Sequence, residues 1–132
     1  MIGIDTNVLI RVFVDDDADQ FRAVQALIRD RGNEVFAITP LVVAEFVVVM
    51  HRHFGRPLAA VVEMVERMLE APEFVVADAA EVTEALAVYR GGGVDFSDCM
   101  IVAAARAAGA DAVLTFDRDA ARRIPGARLI EI

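Results

Sequence analysis

Glu34-Val35-Phe36-Ala37-Ile38-Thr39-Pro40-Leu41-Val42-Val43-Ala44-Glu45 is the stretch that decides the fold class. Its first five residues form a short apolar run that reads as a strand over 34–38. Thr39-Pro40 then supplies an N-cap followed by proline at the first helical position, so a helix begins at once. A strand that passes straight into a helix is half of a βαβ unit, and the same alternation continues along the chain. Further strands are predicted over 1–5, 73–76, 112–115 and 128–132. Between them run apolar stripes at three-to-four spacing: Phe21, Val24 and Ile28; Leu58, Val61, Val62, Val65, Met68 and Leu69; Val82, Leu86 and Tyr89. Such stripes are core. The prediction is an α/β protein, a three-layer α/β/α sandwich on a mostly parallel five-stranded sheet.

Two helices in a row, over 40–54 and 58–69, fill one crossover and predict a helical arm that offers a dimer or partner surface. Asp78 with Glu81 has the spacing of a capping box. Gly32, Gly55 and Gly109 fall where helices should end, and Gly91-Gly92-Gly93 breaks the chain just before Asp95.

The 132 residues, 57% of them apolar, suffice for one packed core, so a single domain over 1–132 is expected. No apolar run reaches the roughly 18 to 20 residues that span a bilayer. No basic segment precedes an apolar one at the start, and the lone Cys99 cannot form an internal disulfide, so a cytoplasmic protein without a membrane partner is expected. The net charge of −8 argues against a broad basic surface that tracks phosphates. The chain contains no lysine, so any contact to nucleic acid falls to arginine.

Four carboxylates stand beside apolar sequence. Asp5 ends the first strand, Glu45 interrupts the run from Leu41 to Met50, Asp98 opens an apolar helix, and Asp117 follows the fourth strand. Each has an ordinary alternative: Asp5 and Asp117 can cap helices, Asp95 and Asp98 can be the cap and third residue of one helix, and Glu45 can pair with an arginine. In a parallel sheet, however, ligands bind outside the carboxyl ends of the strands where strand order reverses. If strands one and four are neighbours, Asp5 and Asp117 converge there, with Asp98 and Glu45 facing the same crevice. Gathered carboxylates need a counter-charge, and hard divalent cations prefer such oxygens. Thr6, Asn7 and Thr115 are small polar residues suited to orienting these ligands or a water. One or two ions held in this way support hydrolysis of a phosphodiester.

At these residues the chain resembles the PIN-domain nucleases, most closely the VapC-type ribonuclease toxins of toxin–antitoxin pairs. The matching segments are Ile4-Asp5-Thr6-Asn7-Val8-Leu9-Ile10, Pro40-Leu41-Val42-Val43-Ala44-Glu45, Asp95-Phe96-Ser97-Asp98-Cys99-Met100-Ile101 and Leu114-Thr115-Phe116-Asp117-Arg118-Asp119. The resemblance implies magnesium- or manganese-dependent endonuclease cleavage of RNA, with Asp5, Glu45, Asp98 and Asp117 as the acidic cluster and Asp95 as an auxiliary ligand or cap. It also implies a homodimer and a small antitoxin that lies along the active-site groove.

Competing families fit less well. A phosphatase of haloacid-dehalogenase type needs a second aspartate where Asn7 stands, and a receiver domain needs a lysine. A catalytically silent PIN-like binding module remains the alternative of a different class. His51 and His53 read as a polar helix end, not a metal pair, and Cys99 reads as a small buried residue, not a nucleophile.

Overall fold

The computed structural model describes residues 1–132 and divides into two compact units, Met1–Ala77 and Asp78–Ile132. The first unit runs β1 (Ile2–Gly3), α1 (Thr6–Phe13), α2 (Ala18–Arg29), β2 (Phe36–Ile38), α3 (Pro40–Val48), a π-helical turn (Val49–His53), α4 (Leu58–Glu70) and β3 (Phe74–Val76). Its strands lie in the order β1-β2-β3, all parallel, with Ile2 opposite Phe36 and Phe36 opposite Phe74. Parallel strands put their carboxyl ends at one edge, so α1 and α3 both leave from that edge. Thr39 caps α3 through its hydroxyl and Pro40 follows, as the sequence predicts. Packing then fixes the helices. Val43, Phe46 and Met50 of α3 and the following turn are fully buried, as are Val61, Val65 and Met68 of α4. These stripes lie against α1 and β3, with the Phe13 and Phe46 rings 5.4 Å apart. Each such side chain contributes about 1.5 to 3 kcal/mol of burial.

The second unit runs α5 (Ala79–Tyr89), α6 (Phe96–Ala107), β4 (Val113–Thr115), α7 (Arg118–Arg123) and β5 (Ala127–Leu129). Val82, Ala85, Leu86 and Tyr89 of α5 pack on Phe96, Cys99 and Ala103 of α6, all of them buried. Tyr89 meets Phe96 edge to face at 5.5 Å. β4 and β5 pair in parallel, Val113 opposite Ala127 and Thr115 opposite Leu129.

The α/β class and the parallel pairing agree with the sequence prediction of layered helices and strands. Three details differ. The five strands, two residues long in β1 and three in the others, form a three-stranded and a two-stranded sheet instead of one. The helix expected over 40–54 ends at Val48 and continues as the π-helical turn. Asp78 precedes α5 with φ 51°, a left-handed conformation that aspartate tolerates better than most residues, and its side chain makes no capping bond, so the expected capping box does not form.

Candidate active site

In the first unit the site is built by the helix starts at the carboxyl edge of the sheet. Asp5 is the N-cap of α1, its Oδ1 accepting from the Thr6 amide at 2.7 Å. Thr6 is the first residue of α1 and is buried, and its hydroxyl donates a 2.6 Å hydrogen bond to Glu45 Oε2 on α3. α1 and α3 therefore bring Asp5, Thr6 and Glu45 together within one unit. Asn7 is exposed beside them.

Glu45 itself corrects an expectation. The sequence places it among apolar neighbours, but α3 buries Val43, Phe46 and Val47 and turns Leu41, Glu45 and Val48 outward. Asp5 and Asp117 are exposed as well, so burial does not force these carboxylates to seek a counter-charge. In the second unit partial burial and neighbouring negative charge act together on Asp98.

There the groups lie at the start of α6 and just past β4. Asp95 is the N-cap of α6 without a side-chain capping bond, and Asp98 sits in the first turn. Thr115 ends β4 and accepts from the Asp117 amide at 3.0 Å; Asp117 in turn caps α7, its Oδ1 accepting from the Ala120 amide at 2.9 Å. Asp98 has its pKa raised, first by partial burial, then by the negative charges of Asp95 and of Asp117.

Within neither unit do three or more His, Cys, Asp or Glu side chains gather into a finished ligand set. The repulsion and the spacing are compatible, because charges interact over a screening length of about 8 to 10 Å whereas metal–oxygen bonds measure about 2.0 to 2.6 Å. The donors are hard oxygens carrying excess negative charge, and that is the chemistry a divalent cation matches.

The other candidates behave as the residue-level readings expect. His51 and His53 are both exposed: the His51 ring contacts the Arg56 carbonyl oxygen and His53 packs edge-on against Phe54. Cys99 is 2% exposed, and burial together with the Asp98 charge pushes its thiol up to about 11, so it is no nucleophile. Asp17, the last residue of the run Asp15-Asp16-Asp17 after α1, caps α2 by accepting from the Gln20 amide.

The bond from Thr6 to Glu45 spans 39 positions and no local pattern announces it. The only available signal was a small hydroxyl next to a helix-capping aspartate.

The PIN domain family model matches residues 2–126 of the 132. No curated protein matches the chain. No helix is long and apolar enough to cross a membrane. The match covers both units and every acidic residue discussed above, and the chain belongs to the PIN-domain family.

Proposed function

We propose that this protein is a metal-dependent endoribonuclease that hydrolyses RNA phosphodiester bonds and serves as the toxin of a toxin–antitoxin pair. The observation that carries the nuclease reading is Asp98 at the start of α6, whose carboxyl is pushed above the usual aspartate range first by partial burial and then by the charges of Asp95 and Asp117. Asp5, Glu45, Asp98 and Asp117 would hold one or two magnesium or manganese ions, with Asp95 as an auxiliary. Such an ion supplies charge neutralisation at phosphorus and a more acidic water.

The chain's own residues have defined parts. Thr6 fixes one oxygen of Glu45 and leaves the other free, and Asp117 likewise commits one oxygen to the Ala120 amide. Thr115 holds the backbone of Asp117, and Asn7 stands ready at the start of α1 to orient a water or a ligand. PIN-domain membership supports a nuclease-type role. The toxin assignment, the homodimer and an antitoxin partner rest on the resemblance that the four motif segments carry, and the cytoplasmic location rests on the lone Cys99, which cannot form an internal disulfide.

The test is cleavage of single-stranded RNA with and without chelator. EDTA abolishes cleavage and added magnesium or manganese restores it, while Asp5→Asn, whose amide oxygen still caps α1, folds and does not turn over. Cleavage undiminished in EDTA rejects the mechanism. RNA binding without cleavage in any metal favours the silent PIN-like binding module, and so does the lack of a finished carboxylate set within either unit.

A further inference from the structure

Every lysine-or-arginine position here is an arginine, and three of the six arginines of the second unit are occupied. Arg106 binds Glu84 at 2.6 Å, Arg122 binds Asp119 at 2.8 Å, and Arg90 also has a partner. Arg123, the last residue of α7, is exposed and forms no ion pair. It is nevertheless placed. Gly93 adopts φ +77°, and a methyl group on its Cα would come within 2.6 Å of Arg123 Cζ and Nε and 2.8 Å of Nη1. The guanidinium thus rests in space that only glycine leaves open.

That seat lies two residues before Asp95 and five before Asp98. The charges that raise Asp98 are those of Asp95 and Asp117, and Arg123 forms no ion pair with any of the three. Its charge is available to an outside anion. The Gly93 and Val94 amides find no backbone acceptor, which leaves two further donors on the same loop. A planar guanidinium held against a backbone suits the two terminal oxygens of a phosphodiester and loses little freedom on binding one.

We propose that Arg123, seated on Gly93, is a phosphate contact that holds the RNA strand beside the acidic residues. This deepens the nuclease reading and rests on it. Phosphate contacts position a strand and carry no sequence preference, so the effect is uniform across RNA sequences.

The experiment measures binding of a labelled single-stranded RNA oligonucleotide by anisotropy, in the Asp5→Asn background, over a series of salt concentrations. Arg123→Gln weakens binding roughly fivefold and lowers the slope of log Kd against log salt by about 0.7, the value for one lost contact to a single strand. Gly93→Ala, which drives the guanidinium off its seat, weakens binding in the same direction. Arg122→Gln, whose residue is already paired, leaves Kd and slope in place. In the active enzyme Arg123→Gln raises KM and spares kcat. Unchanged Kd, slope and KM in Arg123→Gln, with the unmodified protein still cleaving RNA, overturns the contact but not the nuclease. A protein that neither binds nor cleaves RNA in magnesium or manganese overturns both. Since Arg123 is exposed, its variant keeps the fold, and thermal melting checks this.

Discussion

The Thr6 hydroxyl points at Glu45 and donates to its Oε2 across 2.6 Å, tying the first residue of one helix to the second turn of another. Both helices leave the same edge of a parallel sheet. The bond locks one carboxylate oxygen and sets the direction of the other.

Thr6→Val keeps the branched shape and removes the donor. The expected loss is about 1 kcal/mol of stability, since the acceptor is charged but open to water. Cleavage falls by more than that loss of folded protein accounts for, and Thr6→Ser restores most of it. Urea unfolding together with a cleavage assay checks both, and equal activity in Thr6→Val removes Thr6 from the site.

Asp98 gives a dependence on pH. Its folded pKa is raised, so its contribution to stability is fully present below the unfolded value of 3.8 and is lost as pH rises through the higher folded value. In chelator at neutral pH, Asp98→Asn should therefore melt higher than the parent by about 2 °C, and the difference should vanish on acidification below the ordinary aspartate range. Added magnesium reverses the ranking, because only the parent can use its charge to hold the ion. Melting curves across pH, with and without metal, decide it; a lower melting point for Asp98→Asn at neutral pH in chelator would contradict the repulsion.

Asp117 plays two parts that substitution can separate. Asp117→Asn retains the oxygen that accepts from Ala120 and should lose activity with little change in stability. Asp117→Ala also loses the cap and costs about 1 kcal/mol more. Equal stability of the two variants would show that the capping bond contributes nothing.

Much of the architecture was legible because it depends on local pattern. Thr39-Pro40 announced α3, and the stripe from Val61 to Met68 announced α4. The exposure of Glu45 was not legible, since both faces of α3 are apolar and sequence does not say which one meets α1. Asp78 has the composition of a capping box, yet its left-handed backbone turns the side chain away from that role. Pairs far apart in sequence, Thr6 with Glu45 and Gly93 with Arg123, depend on tertiary geometry that no periodicity encodes.

Cys99 supplies a further test. With its thiol pushed up to about 11 and its side chain enclosed, iodoacetamide at pH 8 should modify the native protein at least roughly tenfold more slowly than the urea-unfolded chain. Because the folded pKa lies above the ordinary 9.0, this group's share of stability is intact below pH 9 and disappears as pH climbs toward 11. Urea midpoints over that interval should fall more steeply for the parent than for Cys99→Ala.

The brevity of the strands has a consequence for solution behaviour. An outermost strand with two or three residues displays very few free main-chain groups, too few to recruit a stray segment from another molecule. A chain this greasy is thereby spared the edge-to-edge stacking that seeds fibrils, and its concentrated solutions should stay clear of thioflavin-positive aggregate.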